Sequence, residues 1–417
     1  MTGLADCNNF FVSCERTLDP SLEGRPVVVL SNNDGCAIAR SNEAKRLGVR
    51  MGQPAFELRD MIRRGDLIAL SGNHLLYRDI SLRIHDIFRR YAPRTLDYSI
   101  DEAFLLMDGI PDSELPAIGA EIVRACLEEE RIPVTLGFAP SKTLAKIATE
   151  TGKKSDRRVV ILSDRKDIEE TMATMPVRDL WGVGRRLAKR LYMLGVYTIG
   201  DFAAKERIWV RGHLGVTGER SWCELHGESC IELGHVDRKL QDSISETRTF
   251  PVDIDDFDYI RSRIAIYSAH IARRLRAMEG VCGEVGVFMT SNRFHKERGY
   301  VSPSGKIRID PPTNDTNVIA DAAIGLATRI FDPAYSYKRA GVILSAITPA
   351  GTIAPTLFED PDRRRLDIVR SRRLMDAVDR LNHGSGPNVL KLATELTMGH
   401  IGHNDGYSSS FGPAKKY

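Results

Sequence analysis

The chain has 417 residues, 42% of them hydrophobic, and a formal net charge of only +3 at pH 7. This length suits two to four domains with cores of their own, and the seven scattered cysteines, none in a Cys-x-x-Cys pair, argue against a disulfide framework or a zinc site. No apolar run approaches the roughly 20 residues of a membrane span, and Asp6 and Asn8 interrupt any signal peptide, so we expect a cytoplasmic protein without membrane contact.

The first elements alternate between strands and helices. Hydrophobic patterns and turn residues predict strands at residues 2–5, 27–31 and 37–40 and helices at residues 42–47 and 76–91. Asp6 directly follows the first strand. Residues 20–73 read as an insertion into a larger domain.

An acidic turn lies between the next two strands, predicted at 95–100 and 103–107. Asp101 and Glu102 are adjacent there, and adjacent side chains on a regular strand point to opposite faces. The two carboxylates therefore converge only if the turn or a bulge re-aims one of them. The alternative is a solvated acidic turn.

A helix at 115–126 and a strand at 134–138 complete a β-α-β-β-α-β order once the insertion is set aside. The central antiparallel strands of this split arrangement would place Asp6 and the Asp101–Glu102 turn at neighbouring strand ends. Three carboxylates brought together there have the chemistry to hold two divalent cations for phosphoryl transfer.

Two glycines, Gly182 and Gly184, precede a basic helix predicted at 185–194. Such glycines let a backbone approach phosphate oxygens at a helix N-terminus. The alternative is an ordinary helix–turn–helix hairpin. Residues 231–242 are polar and read as a linker.

A second β-α-β-β-α-β unit follows the linker. Its predicted strands are 243–250, 281–291, 305–310 and 340–347, and its helices are 256–278 and 314–331. The Arg-rich residues 351–417 form a C-terminal tail. The fold class predicted is α+β, with two split βαβ units separated by a small helical region.

Five motifs occur in order: residues 6–11 (DCNNFF), 26–36 (PVVVLSNNDGC), 43–45 (EAK), 98–104 (YSIDEAF) and 141–146 (SKTLAK). Together they resemble the Y-family translesion DNA polymerases, and within them the UmuC-like branch, the catalytic subunits of bacterial DNA polymerase V. The resemblance runs from about residue 3 to about residue 360. It implies an error-prone polymerase that adds deoxynucleotides to a primer 3′ end opposite damaged template in SOS mutagenesis.

The resemblance also implies the domain layout and the site. The domains would be the palm (1–19 and 74–165), fingers (20–73), helix-hairpin-helix thumb (166–230), linker (231–242), little finger (243–350) and tail (351–417). Catalytic carboxylates would be Asp6, Asp101 and Glu102, which with the carbonyl of Cys7 would hold two Mg²⁺ ions. The incoming nucleotide would meet Phe10, Phe11, Arg40, Lys45 and Lys153, and the DNA would meet Gly182, Gly184, Arg185 and Arg186.

Phe11 matches the position of the family's steric gate, where an aromatic ring leaves no room for a ribose 2′-hydroxyl. If residues 10 and 11 continue the strand, their side chains face opposite sides, which would put Phe10 in the core and leave Phe11 to face the site. Lys142 and Lys146, four residues apart, are as compatible with structural or DNA-backbone contacts as with binding of the triphosphate.

Implied partners are primer-template DNA, deoxynucleoside triphosphates, a UmuD-like accessory dimer, a recombinase filament and a sliding clamp. The clamp peptide of the family would include Leu357 and Phe358, but Ala354 and Pro355 replace its Gln and first Leu. Two rival functions share the palm: another phosphoryl-transfer enzyme such as a nucleotidyl cyclase, and a catalytically inactive DNA-damage adaptor. The first would not need the helical hairpin or the second split unit, and the second should have lost carboxylates that are present here.

Overall fold

The computed structural model describes residues 1–31, 34–155, 157–232, 240–294, 299–351, 361–384 and 390–391. These residues fall into two compact units, one before the gap at 233–239 and one after it. The predicted linker lies largely in that gap, and Leu357 and Phe358 also lie outside the described residues. None of the described helices is long and apolar enough to cross a membrane.

The first unit alternates strands and helices. Its strands are β1 (Thr2–Cys7), β2 (Val27–Leu30), β3 (Ala37–Arg40), β4 (Ile68–Ser71), β5 (Arg94–Asp97), β6 (Glu102–Leu106), β7 (Val134–Ala139) and β8 (Val159–Ile161). Its helices are α1 (Phe10–Leu18), α2 (Asn42–Arg46), α3 (Ala55–Arg63), α4 (His74–Tyr91), α5 (Leu115–Glu130), α6 (Lys142–Lys154), α7 (Arg165–Thr174), α8 (Arg185–Met193), α9 (Ile199–Ala203) and α10 (Arg207–Leu225).

A five-stranded sheet in the order β5-β6-β1-β7-β8 organises this unit. Strand β1 is buried along its whole length and pairs antiparallel with β6 and β7 on its two sides. The predicted split arrangement is therefore present, with β8 added parallel to β7. The sequence did not reveal β8, because a strand of three residues is too short for alternation to be visible.

The insertion carries its own three-stranded sheet, in the order β3-β2-β4. Strand β4 runs parallel to β2 and, like helix α3, was absent from the prediction. The acidic hairpin also differs from its prediction. Strand β5 ends at Asp97 and β6 begins at Glu102, so Glu102 is a strand residue and the turn is residues 98–101.

Helix α6 packs closely on β7 because of a glycine. A Cβ atom at Gly137 would lie 2.3 Å from the backbone nitrogen of Thr149 and 2.6 Å from the carbonyl oxygen of Ala145. Only glycine fits such an approach of helix to strand. The contact fixes the height above the sheet of Lys146 and Lys153, which lie two turns apart on this helix.

The second unit has strands β9 (Ser243–Ile254), β10 (Gly280–Ser291), β11 (Ser304–Thr313) and β12 (Tyr337–Pro349) and helices α11 (Phe257–Ala277), α12 (Thr316–Ile330) and α13 (Pro361–Gly384). The sheet order is β11-β10-β12-β9, with every pair antiparallel. Its buried core joins the sheet to α11 and α12. The predicted second split unit, and with it the α+β fold class, is confirmed.

Helix α13 lies within the stretch that was predicted only as a tail. The guanidinium of Arg276 donates to both carboxylate oxygens of Asp379, at 2.7 and 2.8 Å. Ser371 donates to Asp315 at 2.5 Å, and Met375 is buried. Among the helix residues whose side chains are described, these polar contacts and one buried methionine attach it, and so few apolar contacts gave hydrophobic periodicity little to reveal.

Candidate active site

Two of the three predicted carboxylates meet at the end of β1. In the antiparallel pairing of β1 with β6, Asp6 stands opposite Glu102. The next residue along β1, Cys7, donates its backbone N–H to the carbonyl oxygen of Asp101 at 2.9 Å. Because the strand register fixes which residues face each other, the acidic turn is held against the end of β1.

Each of these carboxylates is paired with a lysine of helix α6. The ammonium nitrogen of Lys153 lies 2.6 Å from Asp6 and 3.0 Å from Glu150. The ammonium nitrogen of Lys146 lies 3.1 and 3.2 Å from the two oxygens of Glu102. The helix thus supplies two positive charges to two acids at the paired ends of β1 and β6.

Burial dominates the electrostatics of Asp6, whose residue is only 7% exposed. Loss of hydration, with a smaller contribution from the neighbouring Glu102, raises the pKa of Asp6 to about 7 in spite of the opposing charge of Lys153. Burial alone would lower the pKa of Lys153, but the charges of Asp6 and Glu150 outweigh it and hold that pKa above its ordinary value. Additional positive charge beside Asp6, such as a metal ion, would therefore stabilise its ionised form.

The predicted convergence of all three carboxylates is not met. A carboxylate oxygen of Asp101 accepts a hydrogen bond from the Ser99 hydroxyl at 2.5 Å, within the turn. Among the described residues, no three His, Cys, Asp or Glu side chains are grouped as a metal site. The bond that holds the Asp101 side chain is local to the turn, whereas Glu102 is placed by the strand pairing.

The donor atoms at the strand end nevertheless suit a divalent cation. Asp6 and Glu102 offer hard carboxylate oxygens, which Mg²⁺ prefers, and they already require positive charge beside them. Burial raises the pKa of the Cys7 thiol well above its usual range, so the sulfur stays neutral and only the carbonyl of Cys7 suits a hard cation. These donor atoms therefore fit the Mg²⁺ ions that the family resemblance implied.

An aromatic pair encloses Lys146 and was missed by the sequence analysis. The Lys146 nitrogen lies 4.7 Å from the centre of the Tyr98 ring and 5.6 Å from that of Trp181. The Trp181 indole N–H donates to the Tyr98 hydroxyl at 3.0 Å. The seven-residue spacing of Lys146 and Lys153 was the available signal, because it puts both on one helix face. Lys142 instead is buried, with its nitrogen 3.4 Å from the Ser229 hydroxyl, which favours its structural alternative.

Phe10 and Phe11 do not continue the strand, so that part of the prediction is wrong. Asn9 adopts a left-handed conformation (φ 51°), and both phenylalanines lie in the first turn of α1. Phe10 is buried, and Phe11 is only partly buried. The expected difference in exposure is present, but a helix produces it.

The remaining nucleotide candidates lie on the small sheet and its helix. Lys45 donates to the side-chain oxygen of Asn9 at 2.6 Å. Partial desolvation, then the charges of Arg40 and Lys153, lower the pKa of the Lys45 ammonium, so these cations are neighbours. Arg40 itself donates to the carbonyl of Val49 at 2.8 Å.

The predicted DNA-contacting residues surround the start of α8. Gly182 has a positive φ of 86°, which favours glycine, and Gly184 is the N-cap of the helix. Arg185 and Arg186 begin the helix and are exposed. The helix ends near Gly195 and is followed by α9, as a helical hairpin requires.

Comparison with known families gives three matches in chain order. The profile of the impB/mucB/samB family matches residues 5–150. The profile of the IMS family HHH motif matches residues 165–196, and that of the impB/mucB/samB family C-terminal domain matches residues 241–357.

Curated relatives match along nearly the whole chain. Protein UmuC of Salmonella typhimurium strain LT2 is 36% identical over 397 residues, covering 94% of this chain and 93% of the relative. DNA polymerase IV of Moorella thermoacetica is 31% identical over 406 residues, covering 94% of this chain and 96% of the relative. A solved Y-family DNA polymerase chimera of Dbh and Dpo4 shares the fold, with a TM-score of 0.66, 22% identity and coverage of 83% of this chain and 98% of that chain.

Proposed function

This chain belongs to the impB/mucB/samB family, and we propose that it acts as an error-prone translesion DNA polymerase in SOS mutagenesis. It is a DNA-directed DNA polymerase of the Y family, as its full-length relatives named DNA polymerase IV indicate. The observation that carries the proposal is the Asp6–Glu102 pair at one strand end, with Lys146 and Lys153 beside it.

In the proposed reaction, a primer 3′-hydroxyl attacks the α-phosphorus of a deoxynucleoside triphosphate. Asp6, Glu102, Asp101 and the Cys7 carbonyl would hold two Mg²⁺ ions, which when bound would lower the hydroxyl pKa and stabilise the leaving pyrophosphate. The chain contributes position and charge. Asp6 and Glu102 hold their places because the β1–β6 register sets them opposite each other.

Lys153 and Lys45 are proposed to bind the triphosphate. Lys153 contacts Asp6, and a bound triphosphate would offer that ammonium more negative charge than one carboxylate does. Arg40 lies near enough to add to the positive field. Phe11 is proposed as the steric gate, and the Gly182–Arg186 segment as a backbone contact to duplex DNA.

We propose a palm, fingers, thumb and little finger in chain order. The five-stranded sheet supports a palm at 1–19 and 74–165, and the separate small sheet supports fingers at 20–73. The helical hairpin supports a thumb at 166–230, and the four-stranded sheet supports a little finger at 243–350.

Primer extension tests the proposed function. The purified chain with Mg²⁺ is expected to extend a primer on an undamaged template and past a single lesion, incorporating wrong nucleotides at high frequency. Adding a chelator should stop extension. A chain that binds the duplex without extending it would favour the adaptor function, and cyclisation of a nucleotide without a template would favour a cyclase.

We also propose three protein partners. A UmuD-like dimer and a recombinase filament would act as accessories, and Leu357 and Phe358 would dock on a sliding clamp. Replacing both residues with Ala should reduce stimulation of synthesis by the clamp while leaving synthesis without the clamp unchanged. Equal stimulation of the double variant would place clamp binding elsewhere.

A further inference from the structure

The Phe11 ring lies on a buried tyrosine. The centres of the Phe11 and Tyr77 rings are 4.4 Å apart and their planes differ by 15°, which is a stacked pair. Tyr77 has no exposed surface, and the close packing of protein interiors restrains a ring buried in this way. One face of Phe11 is thus covered by a fixed aromatic surface, while part of the Phe11 side chain stays exposed.

A hydrogen bond anchors that tyrosine. The Tyr77 hydroxyl donates to a carboxylate oxygen of Glu15 at 2.5 Å, and Glu15 is only 1% exposed. If Tyr77 turned away, a buried carboxylate would lose its donor, which is costly. The hydrogen bond therefore restrains the ring in addition to the surrounding core.

Glu15 and Phe11 belong to the same face of one helix. They lie four residues apart on α1, so both contact Tyr77 of helix α4. The start of α4 is fixed in turn, because the Asn73 side chain accepts from the Leu76 N–H at 3.2 Å. His74 meets both rings edge-on, with centres 5.9 Å from Phe11 and 5.8 Å from Tyr77.

We propose that Tyr77 and Glu15 are positioning residues that hold the Phe11 ring in the orientation that excludes a ribonucleotide sugar. The inference rests on the proposed function, because it takes Phe11 as the steric gate. Steric exclusion works only if the excluding group cannot yield, since a ring free to tilt would admit a 2′-hydroxyl. Sugar selection would then depend on a tyrosine behind the gate as well as on the gate.

The test compares Tyr77→Leu, Tyr77→Phe and Phe88→Leu in single-nucleotide primer extension. The readout is the ratio of kcat/KM for a ribonucleotide to kcat/KM for the matching deoxyribonucleotide. Phe88 is the matched control, since it lies on α4, is fully buried and loses a similar volume, but its ring pairs with His85. Phe11→Ala is measured in parallel to test the gate itself.

Tyr77→Leu should raise the ratio at least tenfold, because the stacked surface is gone. Tyr77→Phe should raise it about threefold, because the ring remains without its anchor. Phe88→Leu should leave the ratio unchanged within twofold, whatever it does to thermal stability. If Tyr77→Leu does not fold, Tyr77→Phe provides the test. A raised ratio in that variant supports the positioning role, and an unchanged ratio contradicts it.

Two results would overturn the inference in distinguishable ways. If Phe11→Ala raises the ratio and neither Tyr77 variant does, the gate stands and the positioning role fails. If Phe11→Ala leaves the ratio unchanged, the gate assignment fails and the inference falls with it, while primer extension still tests the polymerase function separately.

Discussion

The ammonium of Lys153 lies 2.6 Å from the carboxylate of Asp6, a side chain that is almost fully buried. One partner is proposed to bind the triphosphate and the other a metal ion. Both ligands would bind by replacing an interaction that the protein already makes with itself. Lys153 also contacts Glu150, so one ammonium faces two carboxylates and positive charge is still needed beside Asp6.

Lys153→Met should raise the KM for deoxynucleoside triphosphates at least tenfold, because it removes a half-buried cation from the proposed triphosphate site. Lys154→Met is the control, since the neighbouring Lys154 is exposed and pairs with Asp179 at 3.3 Å. Steady-state single-nucleotide insertion measures both. Equal KM values for the two variants would remove Lys153 from the triphosphate site.

Glu102→Gln and Asp101→Ala should each reduce kcat for extension by about a thousandfold or more, since each removes negative charge from the proposed metal site. DNA binding, measured by fluorescence anisotropy, should stay within a few fold. Glu150→Gln is the control, because Glu150 contacts Lys153 but lies on the helix and not at the strand end. If Asp101→Ala extends primers at a rate near that of the wild type, Asp101 has no catalytic role.

Phe10→Ala should destabilise the fold by roughly 3–5 kcal/mol, because the side chain is buried in the core that includes Val12 and Tyr77. It should leave sugar selection unchanged. Phe11→Ala should relax sugar selection at a smaller loss of stability. Thermal unfolding and the ribo- to deoxyribonucleotide insertion ratio are the two measurements, and a reversed pattern would assign the gate to Phe10.

The raised pKa of Asp6 predicts a pH dependence in chelator-treated protein. The pKa rises from 3.8 to about 7 on folding, so the folded state holds the proton more tightly. Its contribution to stability is complete below pH 3.8 and is lost as the pH rises to about 7. Asp6→Asn cannot titrate, so it should gain stability relative to wild type across that window, by on the order of a few kcal/mol. Denaturant unfolding at pH 4 and pH 8 measures this, and parallel behaviour of the two proteins would contradict it.

The pairing of Asp6 with Glu102 was predictable from the sequence because strand order alone brings those strand ends together. The orientation of Asp101 was not, since it depends on a local bond with Ser99. Nor was the setting of Lys146, because its aromatic neighbours Tyr98 and Trp181 are far apart in the chain and meet only after folding.

The contrast in exposure between Phe10 and Phe11 was predicted for the wrong reason. The strand reverses into a helix at Asn9, whose left-handed backbone no periodicity reveals. Helix α13 was missed because the contacts described for it are largely polar, such as the Arg276–Asp379 ion pair.

Both ion pairs of the site depend on one distance, that between helix α6 and strand β7 at Gly137. Lys146 and Lys153 both lie on helix α6, and this helix packs directly against the backbone of Gly137. A methyl group there would lift the whole helix, so both ammonium groups would withdraw from both acids together. A substitution of this uncharged residue would therefore weaken both ion pairs, Lys146–Glu102 and Lys153–Asp6, at the same time. Restoring one of the two pairs by a second substitution would not restore the other.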